Sequence, residues 1–293
     1  MTTTAPAVST KPAIAQNAHL TFGGTLRSEW IKLRTLRSTI WCYAIVFAVT
    51  VLFGLLLAQV GFGVSPDGAP VGSNDMTTEL QQSNAIMVST LGIAFSQLVA
   101  AVLGVLVISG EYGTGMIRST FTAVPKRLPA LFSKAIVFGV VTFVVGLVSV
   151  FATALLTAPM LPESGITPDF SDPQFLLALV GAALYLALIG VLSMAIGAIV
   201  RNSAGGIAAS LGLVLVLPPV LQIIVSLTQA EWARNIGTFL PDMAGNRLFT
   251  YGAEASVTDG VISLDAVQGG LVLLAWVAVM FIAASVLIKR RDV

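Results

Sequence analysis

Histidine and cysteine are almost missing from this chain, and the chemistry they supply is excluded with them. The single His19 lies outside every apolar run, so no Ser-His or Cys-His hydrolase can be assembled within those runs. The single Cys42 permits no internal disulfide, and no His/Cys/Asp grouping has metal-ligand spacing. No G-x-x-x-x-G-K-[ST] phosphate loop occurs, so any ATPase of that kind must be another polypeptide. Charge is scarce as well: 10% of residues are Asp, Glu, Lys or Arg, against about 25% in a soluble domain. With 56% hydrophobic residues and a mean hydropathy of +0.92, that scarcity reads as an integral membrane protein.

A span needs roughly 20 mostly apolar residues to cross about 30 Å of hydrocarbon. Six stretches qualify, at about 40–60, 85–109, 131–157, 175–200, 204–227 and 267–288. Runs such as "LALVGAALYLALIGVLSMAIGAIV" are apolar on all sides, as a helix among lipid and other helices is, and do not alternate as porin strands do. The expected fold class is therefore an all-α membrane protein with six transmembrane helices. Residues 1–24, rich in Thr, Ala and Pro, read as a disordered tail without a signal-peptide core, and 25–293 as one transmembrane domain.

Six spans put both termini on one side. That side collects 13 basic residues against Glu29, Glu111 and Asp292, while the other holds only Arg234 and Arg247 against 11 acidic residues. Basic residues flanking spans stay in the cytoplasm, so both termini and the loop at about 110–130 are expected there.

The spans so bounded contain no Asp or Glu, which a proton-coupled carrier commonly keeps inside the membrane. A buried carboxylate would cost roughly 2.5–3.5 kcal/mol at a helix centre, so a purely structural bundle would omit it too. Lys134, near the cytoplasmic end of the third span, is expected to snorkel. Gln59, Gln97 and Gln222 suit interhelical hydrogen bonds or a substrate path. Ser193 and Gly197 form a small-x-x-x-small pair that permits close helix approach, and Pro218 with Pro219 predicts a kink in the fifth span.

Two elements stand out on the basic side. In "GTLRSEWIKLRTLRSTIW", Leu26, Trp30, Leu33, Leu36 and Ile40 share one arc of a helix with Arg27, Lys32 and Arg34 off it. This predicts a basic amphipathic helix in the headgroup layer, or else an anchoring extension of the first span. In "EYGTGMIRSTFTAVPKR", Gly110 can end the second span and Thr114 can cap a short helix whose apolar patch is Met116, Ile117 and Phe121. So short a helix needs a partner's groove, or packs on its own helix ends.

These two segments, and "FLPDMAGNRLF" before the last span, resemble the permease subunit of type-2 ABC transporters, especially the small six-span permeases common in Gram-positive bacteria. The likeness extends over nearly all of the chain after residue 24. It implies that Leu26, Trp30, Leu33 and Leu36 belong to a connecting helix. The coupling helix that docks on the ATPase would involve Glu111, Gly113, Gly115, Met116, Ile117, Arg118 and Phe121. Trp232, Phe239, Pro241 and Phe249 would lie in partly re-entrant outer helices, or in a plain outer loop.

The resemblance further implies a homodimer or heterodimer of permeases in a bacterial plasma membrane, paired with two copies of a separate ATPase. That partner would bind ATP and Mg, and this chain would bind no cofactor and no nucleic acid. Export is the expected direction. A membrane anchor or sensory subunit that recruits a different cytoplasmic protein is the alternative. Deletion of residues 1–20 is expected to leave assembly unchanged, as size-exclusion chromatography in detergent would show; loss of the folded species would make the tail structural.

Overall fold

The computed structural model describes residues 21–60, 77–116, 128–258 and 260–290. Most of the expected tail, and Ile117, Arg118 and Phe121, lie outside the described residues. Among the described residues six helices are long and apolar enough to cross a membrane: Arg37–Gln59, Thr78–Gly113, Leu128–Thr157, Pro173–Val200, Ser203–Thr228 and Ala266–Arg290. Each coincides with one expected stretch, with ends that differ by up to a few residues. This is the pattern of a multi-pass membrane protein.

Helix α1, Phe22–Thr35, starts inside the segment read as tail, because the Thr21 hydroxyl accepts the Gly24 N–H at 3.2 Å and caps it. It stops where Leu36 turns extended, and α2, Arg37–Val60, follows at once. The second span is made of α3, Thr78–Thr90, and α4, Ile93–Gly113. At their junction a methyl group on Gly92 would overlap the Thr50 backbone of α2, so only glycine allows that approach. Then come α5, Leu128–Thr157, and α6, Pro173–Val200, whose N-terminus is capped by Asp172 through the Gln174 N–H at 2.9 Å.

The fifth span is α7, Ser203–Leu211, a π-helical turn at Gly212–Val216, and α8, Leu217–Thr228. Where the prolines predict a kink the helix has this π turn, because Pro218 has no N–H to donate and its ring needs room beside the preceding turn, which the wider π spiral supplies. Two short helices follow, α9, Glu231–Thr238, and α10, Pro241–Asn246. A hairpin pairs β1, Ser256–Thr258, with β2, Val261–Ser263, Val257 opposite Ile262. Last comes α11, Ala266–Arg290.

Helix α6 is the centre of the bundle, packed against α4, α5, α7 and α11. In its most apolar stretch 67% of residues are buried, against 17% in α2 and in the fifth span, which therefore form the outside. A backbone-to-backbone approach joins α4 to α6, where a methyl group on Gly104 would overlap the Gly190 carbonyl oxygen. Ser193 and Gly197 face α4 as their spacing predicts: Ser193 is fully buried, and a methyl on Gly197 would sit 3.1 Å from the Val105 backbone. Backbones this near gain dispersion along their whole contact, which in lipid replaces the missing hydrophobic drive.

Gly104→Leu is therefore expected to separate α4 from α6 at a cost of about 1–3 kcal/mol. Gly110→Ala, whose methyl meets nothing within 4 Å, should be neutral or stabilising. Thermal unfolding in detergent compares them, and equal midpoints would contradict the packing.

Candidate functional site

At the end of the bundle where α1, α4, α5, α6 and α11 meet, four charged side chains are tied in one buried knot. Lys134 of α5 donates to Glu29 Oε2 of α1 at 2.6 Å and to Glu111 Oε1 of α4 at 2.9 Å. Lys32 of α1 donates to Glu29 Oε1 at 2.7 Å and to the same Glu111 Oε1 at 2.9 Å. Glu29, Glu111 and Lys134 are only 5%, 4% and 5% exposed. Two charges of each sign cancel, and this is what lets them leave water.

The expectation that Lys134 snorkels is thus corrected. Two carboxylates reach it from other helices, so its ammonium is satisfied inside the bundle. Burial alone would lower the Lys32 pKa, but Glu29 and Glu111 outweigh it and hold it above the ordinary lysine value. A raised folded pKa contributes stability that is fully present below the unfolded value and lost as pH rises through the folded one. Lys32 therefore stays charged throughout the neutral range.

Neighbouring contacts extend the joint. Thr25 and Ser133 share a hydrogen bond of 2.7 Å between α1 and α5. Arg201, in the left-handed conformation that ends α6, lies 5.2 Å from the Tyr112 ring centre and donates to the Leu287 carbonyl of α11 at 3.3 Å. Ser203 meets Ser109 at 2.9 Å. All of these flank the last turn of α4, which runs on through Gly110 to Gly113. Thr114 closes that helix, its hydroxyl donating back to the Gly110 carbonyl at 2.9 Å, and the short helix expected after it falls on residues outside those described. Gly115 then takes φ +71°, a left-handed turn that favours glycine, and Met116 is exposed beyond it. Glu111, Gly113, Gly115 and Met116 are thereby brought to one end of the bundle, Glu111 inside and the rest at the surface.

The expected apolar stripe of α1 is split. Leu33 is buried and Leu26 half-buried, while Trp30 and Leu36 are 49% and 52% exposed. Glu29 takes the inward place next to Leu33, because pairing with Lys134 outweighs what the indole would gain there.

A second polar cluster lies toward the other end. Tyr185, fully buried on α6, is hydrogen-bonded to Gln97 of α4 and to Asp242 Oδ1 of α10, the latter at 2.6 Å. One hydroxyl has one proton, so with Asp242 ionised the Gln97 amide must turn its NH2 to the phenol oxygen. Burial pushes the Asp242 carboxyl up, against hydrogen bonds from Tyr185, Gln97 and Asn246. Gln97 thus makes an interhelical hydrogen bond. The expected lack of interior carboxylates is corrected by Glu29, Glu111 and Asp242, all brought in from segments outside the anticipated spans.

Glycines let α10 in: methyl groups on Gly245, Gly181 and Gly269 would overlap the Tyr185 ring, the Leu248 carbonyl and the Ala244 carbonyl. Pro241 is buried at the first turn of α10, Phe249 packs 5.4 Å from the Tyr185 ring, and the Phe239 carbonyl accepts the Trp276 N–H at 2.9 Å. Trp232 stays at the surface, 57% exposed and apart from the cluster. At the surface nearby, the Tyr251 hydroxyl and the Gln174 N–H hold the Asp172 carboxyl below its usual range, and Tyr251 itself is pushed up to about 12.

Lys134→Met strands two buried carboxylates with one ammonium and is expected to cost about 3–5 kcal/mol. Lys32→Met should cost clearly less, since Lys32 is partly solvated at 28% side-chain exposure. Thermal unfolding of the two variants decides, and the reverse ranking would contradict the geometry.

Comparison with known proteins supplies no family: no protein-family model matches the chain, and no curated protein matches it.

Proposed function

We propose that this chain is the membrane-spanning permease subunit of an ATP-driven transporter of the type-2 ABC kind, an exporter that works as a homodimer or heterodimer. Both termini and the loop at 111–127 face the cytoplasm of a bacterial cell. Two copies of a separate ATPase dock there, and ATP with Mg binds to them and not to this chain. The observation that carries the reading is the continuity of α4, which runs from the bundle core to Glu111, where the ion knot fastens it to α1 and α5.

A push on the loop beyond Gly115 then has somewhere to go. It meets a helix of 21 residues, about 30 Å long at 1.5 Å per residue. That helix is in backbone contact with α6 at Gly104 and is linked through Gln97 and Tyr185 to Asp242 of α10. Closure of the ATPase dimer would shift α1, α4 and α5 as a block and move α10 at the far end, rocking the bundle between inward-facing and outward-facing states. The short helices α9 and α10 match what is expected of partly re-entrant outer helices, and the basic residues gathered beside the knot suit a cytoplasmic face.

Tagged full-length chain extracted from its own host in mild detergent is expected to retain an ATPase in about equimolar amount, and Ile117→Asp to release it while the chain stays inserted. A folded, dimeric chain that brings down another cytoplasmic protein and no ATPase would favour the anchor or sensory reading. Normal ATPase retention by Ile117→Asp would remove the loop from the docking surface.

A further inference from the structure

Arg234 and Arg247 are the only basic residues between Arg201 and Lys289, on the side of the chain that holds 11 acidic residues. Both line one cleft of about 460 Å³ between α8, α9 and α10, and among the described residues no acidic side chain lines it with them. Among the described residues neither guanidinium has a carboxylate partner; Arg234 bonds only the neutral amide of Gln229. Of the described acids on these elements, Asp242 is turned to Tyr185 and Glu231 lies against Gly260 of the hairpin. Leu221 and Val225 of α8 supply an apolar wall, and Gln222 and Asn246 add neutral polar groups. Helix α8 belongs to the fifth apolar span, so this wall continues into the hydrocarbon zone.

We infer that this cleft binds an anionic membrane lipid, its phosphate held by Arg234 and Arg247 and its first acyl carbons laid along Leu221 and Val225 of α8. Guanidinium forks match phosphate oxygens two at a time, and two of them in one cleft without a carboxylate partner among the described residues attract an anion. The volume suits a headgroup with the start of a chain. The site stands apart from the ion knot and from the transporter reading: a lipid could sit here on a carrier, an anchor or a sensor.

Native mass spectrometry of the full chain in detergent, offered phosphatidylglycerol or phosphatidylcholine, tests it. Phosphatidylglycerol should be retained in preference. Arg234→Gln with Arg247→Gln should lower its retention about 25-fold, at about a factor of five per cation. The corresponding pair of Lys substitutions, which keeps the charge and loses the fork, should retain more lipid than the Gln pair and less than the native chain. Equal retention of the two lipids, or no change in the Gln pair, overturns the site. Displacement of bound phosphatidylglycerol by millimolar glycerol phosphate would show a site for free anions and overturn the lipid assignment. If the Gln pair fails to fold, Gln222→Glu puts a negative charge at the exposed rim, and unchanged lipid retention in that variant overturns the proposal equally.

Discussion

Four charges that must leave water together govern one end of this molecule. A single lysine or glutamate there would stay at the surface or lose its charge, because burying an unpaired ion costs several kcal/mol. Lys134 is buried only because Glu29 and Glu111 come with it, and Glu111 only because Lys32 and Lys134 share its Oε1. Three helices are thereby held in one arrangement by groups that depend most on Lys134, the cation buried among them. The fold of α1 follows from this: it turns Glu29 and Leu33 inward and leaves Trp30 outside, although the indole is the larger apolar group.

The opposite end is joined by shape more than by charge. Gly181, Gly245 and Gly269 remove the side chains that would keep α10 away from α6 and α11. Tyr185 then meets Asp242 across the gap. Between the two joints α6 lies against α4 with Gly190 on Gly104, so displacement at one end has a stiff path to the other. Two polar joints connected by close-packed backbone are what a protein needs if work done outside the membrane is to change its shape within it.

The spans were legible because a run of about 20 apolar residues has few other uses. Their ends moved by a few residues where caps such as Asp172 and turns such as Gly115 decide the boundary. The small-residue spacing of Ser193 and Gly197 and the likelihood of Gln97 bridging helices were legible for the same reason: in lipid, close contact and hydrogen bonds are what remain to hold helices together. The ion knot was not legible. Glu29 and Lys134 are 105 residues apart, and nothing local distinguishes Glu29 from a solvated charge on an amphipathic helix. Asp242 was hidden likewise, since a carboxylate in a loop-like segment reads as exposed until Tyr185 is seen reaching for it. Within the stripe of Leu26, Trp30, Leu33 and Leu36, periodicity finds the apolar arc but does not tell which of its members is buried in the bundle, since the pairing of Glu29 with Lys134 is not local.

The central claim is that the knot holds α1 and the end of α4 as one body. Spin labels at Ser28→Cys and Thr114→Cys, both exposed positions on those elements, measure it directly in a Cys42→Ser background. Pulsed electron resonance should give one narrow distance distribution in the otherwise native chain and a broad one when Lys134 is replaced by Met. A distribution of unchanged width in that variant, with the bundle still folded, would show that α1 and α4 are held by something other than these four charges.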